Sequence, residues 1–497
     1  MNIENAFQQN LDSLHFYGPE ILVSLTIILL IGVSVLAPKG KKRPISVTFA
    51  FIGLTGALLS LFQLIQVSPT QTIFHDLIAN DPVSLIFKLI FLGTTVLVSL
   101  MVMDSDGIPG KRSPEFVFLL LSIYLGMSFL GSGLHLLILY LGLELVSLPS
   151  YVLAGYNMRD RNSSEAGIKY LIYGAVSGGS FLFGASLLYG ITGAFTVGAI
   201  GSALAGVEQF YPVVIALLLM LVGLGYKCSF FPMHMWVPDV YQGAPAAVGG
   251  FLSTAPKAAG FAVLLRLSYE WVPALQGNTN FALGLAIPAF FFFISLITMT
   301  VGNLSAIAQN NVKRLLGYST VAHVGYILMG YTLVGTQWMD EGFSAIVFYL
   351  IIYTVTNLGA FFVIVALKRP WLDDLNGLVT RAPVTAIAMA IFLFSLTGIP
   401  PLVGYAGKFY LFAALIQSGM TLMFVLALAG VVNSVVSFVY YGNVLKHIFL
   451  HEPDSDKPIN VSPLSRILLV LLAVSVVGLG VLWSPVVSFT QQMVAFI

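Results

Sequence analysis

Apolar runs of about twenty residues follow one another from end to end of this chain, and that is the length of helix that crosses a bilayer. The stretch "LVSLTIILLIGVSVLA" near the start and "ILLVLLAVSVVGLGVL" near the end give the pattern. Between them lies too little polar surface to coat a globule. Of 497 residues 58% are hydrophobic and 9% are charged, against about 25% charged in an ordinary soluble domain. Mean hydropathy is +0.94. The chain therefore reads as an all-α polytopic membrane protein. Its single cysteine, Cys228, excludes a disulfide scaffold and a cysteine-based metal cluster. A formal net charge of +1 offers no basic field for nucleic acid. Residues Met1 to Pro19 are polar and lack a basic stretch, so the first span is expected to be retained rather than cleaved as a signal.

The pattern gives about 14 transmembrane helices, starting near Glu20, Ile45, Pro82, Pro114, Gly133, Ser163, Tyr211, Ala244, Phe281, Lys313, Gly342, Pro383, Thr421 and Pro463. No connector is long enough for a soluble domain. One integral membrane domain, 1–497, is expected: three N-terminal helices (1–113), two five-helix units (114–270 and 281–447) and a C-terminal helix (463–490). Seventeen of the 22 Lys and Arg residues fall in odd-numbered connectors, beginning with Lys39, Lys41, Lys42 and Arg43. Those connectors are then cytoplasmic, and both termini lie on the outer side.

Five basic residues remain inside or beside spans. Arg266 and Lys88 lie close enough to a span end to snorkel, Arg266 with Glu270 one turn on. Lys257 is ~18 Å into its span and Lys227 ~24 Å from the outer end of its own, with Lys408 similarly deep. A charge at that depth costs at least ~2.5–3.5 kcal/mol and is a functional candidate. Among carboxylates, Glu144 reads as the only deep one, ~16 Å in. His323 is also deep, His234 lies beside a helix break, and His135 is placed near the outer surface.

The sequence repeats itself. "GLGYKCSFFPMHMWVPD" and "SLTGIPPLVGYAGKFYLF" each join a Gly/Pro break to a lysine, Lys227 or Lys408, 181 residues apart. Glu144 and His323 stand at nearly the same offset, 179. Pro232 and Pro238 mark the first break, Pro400 and Pro401 the second. Two copies of five helices each must enter the membrane from opposite sides, and inverted repeats with matching broken helices point to a transport site. A broken helix is tolerated at membrane depth only where protein or a wet cavity satisfies its freed backbone groups. Lysines, a carboxylate and a histidine along the midplane suit a proton relay. A Na⁺ site would want several clustered oxygens.

The stretches "GYKCSFFPMHMWVPDVYQGAP", "FLSTAPKAAG", "NNVKRLLGYSTVAHVGYILMG" and "SLTGIPPLVGYAGKFYLF" resemble the antiporter-like subunits of respiratory complex I, the proton-translocating NADH:quinone oxidoreductase. The length, Lys408, and the phrases "PDVYQGAP" and "KYLIYGAVSGG" are most like the subunit N branch. The resemblance implies that Glu144 and Lys227 form the coupled pair of one half-channel. It makes Lys257 the central connecting lysine, Lys408 the terminal lysine and His323 a linking residue. It further implies a bacterial cytoplasmic (inner) membrane and neighbours like subunits M and K. No cofactor is then bound by this chain: NADH, flavin, iron–sulfur clusters and quinone belong to other subunits. The same motifs occur in multisubunit Na⁺/H⁺ antiporters and membrane-bound hydrogenases, which remain the alternative. A self-sufficient secondary transporter needs a solute site, and a haem-binding subunit needs facing histidines that the sequence lacks.

Overall fold

The structure, a computed structural model, describes residues 3–495 apart from Lys39, 68–69, Gln209, 279–282, Asp454 and Asp456. Lys39 of the first connector and the span start expected at Phe281 lie outside the described residues. After a short leading helix, α1 (Ile3–Leu14), come α2 (Gly18–Leu36), α3 (Lys42–Val67) and α4 (Pro82–Met101). A first set of crossings follows: α5 (Ser113–Ser132), α6 (Leu136–Ala154), α7 (Arg161–Thr192), the interrupted pair α9 (Phe210–Cys228) and α10 (Val237–Gly243), then α11 (Ala246–Leu252) and α12 (Ala255–Gly277). The short α8 (Val197–Leu204) fills the connector between α7 and α9. The second set is α13 (Leu283–Ile307), α14 (Val312–Tyr331), α15 (Met339–Leu367), the interrupted pair α17 (Pro383–Thr397) and α18 (Val403–Gln417), and α19 (Thr421–Leu450). The one-turn α16 (Leu378–Arg381) precedes α17, and α20 (Pro463–Val481) and α21 (Ser484–Val494) end the chain.

Among the described residues, 12 helical segments are long and apolar enough to cross a membrane. The two further crossings of the sequence count correspond to α14, which carries Lys313, Arg314 and His323, and to α17–α18, whose halves have 15 residues each. Local chemistry fixes the ends. Asp81 caps α4, its carboxylate accepting from the Ser84 amide at 2.7 Å, with Pro82 in the first turn. Asp160 caps α7, which stops at Gly193 in the left-handed region, φ 67°.

Two features depart from the sequence reading. The connector before α4 is not plain loop: β1 (Gln71–Ile73) and β2 (Ile78–Asn80) pair antiparallel in a small hairpin within the otherwise all-α membrane fold. The C-terminal helix expected over 463–490 is two helices. α20 ends at Val481, and Pro485 opens α21 in its first turn, where a missing N–H costs nothing. α21 packs on α15 and α4.

The two five-helix sets pair in the same order. In each, the first helix packs on the second, the second on the third, and the third on both halves of the interrupted one. The last helix then closes on the first: α12 on α5, α19 on α13. The N-terminal helix α4 touches α11, α12 and α15 and so spans both sets.

Candidate functional site

The first interruption begins where α9 ends. Ser229 turns into the left-handed region, φ 69°, and the amides of Ser229 and Phe230 both return to the Gly225 carbonyl, at 2.7 and 3.1 Å. The chain runs without α-helix through 229–236, with a cis bond at Phe231–Pro232, and the Phe231 amide donates to Thr298 Oγ1 at 3.1 Å. Pro232 thus sits inside the break. Pro238 does not: it occupies the first turn of α10 and opens that helix instead of breaking one. The second interruption covers 398–402. Gly398 leaves α17 at φ 92°, which a side chain rarely adopts, and Pro400 and Pro401 follow with a cis bond between them. A third interruption, at Ser253–Thr254, separates α11 from α12. Sequence reasoning missed it, although Pro256 two residues on is a usual helix-opening signal.

The three deep lysines gather at these interruptions, and all are buried. Lys227, in the last turn of α9, donates to Ser147 Oγ on α6 at 3.0 Å. Gly260 on α12 lets its stem pass, since a Cβ there would meet Lys227 Cγ at 3.3 Å and Cys228 Sγ at 2.7 Å. Lys257 is not in mid-helix but in the first turn of α12. Its ammonium donates to Ser229 Oγ and, at 3.3 Å, to the Cys228 carbonyl freed by the break, and it lies 5.3 Å from the Trp236 ring centroid. Lys408, on α18, donates to the Thr397 carbonyl freed by the second break at 2.9 Å and stands 4.6 Å from the Tyr326 ring centroid. Ser147 lies three residues after Glu144, and Tyr326 three after His323. The lysine of each set therefore meets its partner at the equivalent position.

Glu144 does not form an ion pair with Lys227. It is half-buried on α6, one turn before Ser147, with its carboxylate against Gly178 of α7, where a Cβ would stand 2.7 Å from Oε1. Among the described residues, no carboxylate lies within ion-pair distance of Lys227, Lys257 or Lys408.

His323 is buried between two tyrosines, with Nδ1 2.8 Å from Tyr349 OH and Nε2 3.3 Å from Tyr441 OH. Its ring packs edge-on against Tyr326, at 5.7 Å between centroids, the same ring that Lys408 stands over. A cavity of about 10 Å³, lined by His323, Tyr353, Ser395 and Gly404 among others, sits between it and the second break; that is about the space of one water. His234 is buried in the first break, stacked on Phe231, and its Nδ1 has no partner. Between Lys257 and His323 no chain of direct hydrogen bonds is present among the described residues. Tyr241 OH and Asn357 Oδ1 are buried there without partners, while the Asn357 amide donates to Ser253 Oγ at 2.6 Å. Unpaired buried polar atoms cost ~1–3 kcal/mol each unless water fills the place.

Three charges sit otherwise than the sequence reading has them. Arg266 does not snorkel with Glu270. It is buried and makes two hydrogen bonds to the Asp81 carboxylate, at 2.8 and 3.2 Å, and one to the Gly131 carbonyl at 3.1 Å. Lys88 is fully buried and pairs with Glu20 at 2.8 Å, with the Ser128 hydroxyl on the same carboxylate. Glu144 is accordingly not the only carboxylate inside the helices; Glu20, read as a span end, is the more deeply buried. Two complementary charges in the first two turns of α2 and α4 were the available signal. His135 caps α6, its Nδ1 accepting from the Leu137 amide at 3.2 Å.

Known proteins share this architecture. A family model described as "NADH:quinone oxidoreductase/Mrp antiporter, TM" matches residues 133–437. A NADH-quinone oxidoreductase subunit N 2 of Sorangium cellulosum is 39% identical over 98% of this chain and 98% of its own length. A NADH-quinone oxidoreductase subunit N of Trichlorobacter lovleyi is 36% identical over 100% of both. Among solved structures, a chain of respiratory complex I from Thermus thermophilus with bound aureothin is 31% identical, covers 95% of this chain and 98% of its own, and superposes with a TM-score of 0.78. A chain of the Mrp complex from Dietzia sp. DQ12-45-1b covers 98% of this chain and 97% of its own at a TM-score of 0.83, but at 19% identity it speaks for the fold alone. With the matched region covering more than half of the sequence and full-length relatives above 30% identity, the chain belongs to the NADH:quinone oxidoreductase/Mrp antiporter family of polytopic membrane proteins.

Proposed function

We propose that this chain is the subunit N of a complex I-type, proton-translocating NADH-quinone oxidoreductase and carries protons across the membrane while quinone is reduced elsewhere in the complex. The observation that carries the reading is the set of three buried lysines at helix interruptions, each on neutral partners: a hydroxyl, freed carbonyls and aromatic rings. Without a fixed counter-ion, a buried ammonium is not locked in its charged form, and a moving or remote carboxylate can decide whether it holds its proton. Glu144 has that place. It is half-buried at the rim of the first set, near Lys227 but not bonded to it. Lys227, Lys257, His323 and Lys408 then form the relay, His234 stands by as an accessory, and waters beside Tyr241 and Asn357 complete the path between Lys257 and His323.

In this reading the two five-helix sets are inverted repeats related by an approximate two-fold axis in the membrane plane, supported by their matched pairing order and equivalent lysine contacts. The chain lies in a bacterial cytoplasmic membrane with both termini outside, between neighbours like subunits M and K. It binds no redox cofactor; NADH, flavin, iron–sulfur clusters and quinone are handled by partner subunits. Full-length relatives named subunit N favour this over a role in a Na⁺/H⁺ antiporter complex or a membrane-bound hydrogenase. The test is to purify a tagged chain from native membranes. The reading expects co-purifying subunits that oxidise NADH and reduce quinone. Co-purification only with antiporter subunits, without quinone reductase activity, contradicts it.

A further inference from the structure

On the side where the first, third and fifth connectors gather, a cavity of about 520 Å³ opens between the start of α3, the 105–112 segment and the 156–159 segment. Arg43, Lys111, Arg112 and Arg159 line it, and Asp106 is the one carboxylate among its lining residues. The wall is built. Arg43 pins the loop by donating to the Met103 carbonyl at 3.2 Å, the Ile108 carbonyl and Ser113 Oγ. Tyr156 OH holds the other wall by donating to the Arg112 carbonyl at 2.6 Å.

Four cationic side chains against one carboxylate leave the cavity lining with an excess of positive charge. Lys111, Arg112 and Arg159 have no ion pair among the described residues. The carboxylates of the surrounding segments make no ion pair with Lys111, Arg112 or Arg159. Asp106 pairs with Lys368 at 3.0 Å, and Asp104 takes the hydroxyls of Ser462 and Ser465. Glu115 takes the hydroxyl of Ser34, and Asp160 caps α7. The start of α5, a helix of 20 residues, adds its positive dipole end. Four cations around one cavity repel each other more than the single Asp106 carboxylate, itself paired with Lys368, offsets, and a bound anion would relieve that repulsion.

We propose that this cavity is a binding site for a phosphate group, drawn from an anionic phospholipid headgroup or from free phosphate. Two guanidinium forks and an ammonium suit tetrahedral phosphate oxygens. The cavity lies where α3 and α5 begin and α6 ends, the level at which headgroups meet protein. The site is independent of the proton path, since none of its side chains belongs to the relay.

The test uses the assembled complex in nanodiscs, with a benzophenone amino acid in place of Met158, which is 64% exposed at the cavity rim. One arm uses phosphatidylcholine with a minor share of phosphatidylglycerol and reads lipid adducts on this chain by mass. The other uses phosphatidylcholine alone and reads binding of radiolabelled orthophosphate. Adducts enriched in phosphatidylglycerol assign a headgroup; saturable orthophosphate binding assigns the free anion. In either arm Lys111→Gln/Arg159→Gln lowers affinity by about 30-fold and each single change by about fivefold. Lys111→Arg/Arg159→Lys keeps the ligand, and quinone reduction is unchanged throughout. Adducts in simple proportion to the lipid mixture, together with orthophosphate binding equal in wild type and double variant, overturn the proposal.

Discussion

The two five-helix sets hold their lysines by different means. In the first, Lys227 is bonded to a side-chain hydroxyl, Ser147, with Glu144 one turn away on the same helix. In the second, Lys408 is bonded to a main-chain carbonyl, Thr397, and stacked over Tyr326, and His323 replaces the carboxylate. A hydroxyl can turn away, and Glu144 at the rim can be drawn off; a carbonyl fixed at a helix end cannot move without moving the helix. One architecture thus sets one lysine on a movable hydroxyl and the other on a fixed carbonyl. If the lysines form the proposed relay, the first set is the one open to influence from its edge and the second is the fixed proton post.

That contrast can be broken by substitution. Glu144→Ala is expected to leave the complex assembled and lower proton pumping by about 30-fold, within the range of a coupling free energy of about 2 kcal/mol, while Glu144→Asp keeps much of it. Normal pumping in the assembled Ala variant would remove the edge from the account. Ser147→Ala takes away the hydrogen bond that the buried Lys227 ammonium donates and should slow pumping by about tenfold. If it has no effect, Lys227 does not depend on that hydroxyl. Tyr326→Leu removes a ring from over Lys408 and is expected to cost about fivefold, with Tyr326→Phe near wild type. Equal loss in both variants assigns the role to the hydroxyl, which contacts Asn303, and not to the ring. Thr397→Val leaves the carbonyl that Lys408 uses and should change the rate by less than about twofold. A larger loss would mean that the side chain, which bonds back to Leu393, carries the effect.

The membrane class and the two breaks were legible because hydrophobic length and Gly/Pro signals are local properties. Lys227, Lys257, Lys408 and His323 stood out because an ionisable group far from any span end has no bland explanation. The partners did not. Ser147, Tyr349 and Tyr441 are ordinary residues on their own helices, and only tertiary packing brings them to a lysine or a histidine. Depth counted from a span end also misled. Lys88 lies about two turns into α4, and Arg266 falls midway along α12, which runs on past residue 270 to Gly277; neighbouring helices cover both, and Glu20 and Asp81 complete them inside. The hairpin over 71–80 escaped because three-residue strands carry too short an alternation to read.

The central claim is that the midplane lysines exchange protons instead of serving as static charges. Lys257 tests it most directly, since it holds the carbonyl freed at the first break and in the proposed relay stands between Lys227 and His323. Arginine keeps the charge but holds its proton with a pKa above about 12, so it cannot relay. The measurement is proton uptake into sealed vesicles driven by the native electron donor, beside the uncoupled rate with an ionophore, in an assembled Lys257→Arg variant. The account predicts pumping impaired nearly as much as in Lys257→Ala, most severely at high proton-motive force, where each charge moved involves about 2.3 kcal/mol per 100 mV. Full pumping by Lys257→Arg would contradict it, because a lysine that never releases its proton cannot stand at the centre of a relay.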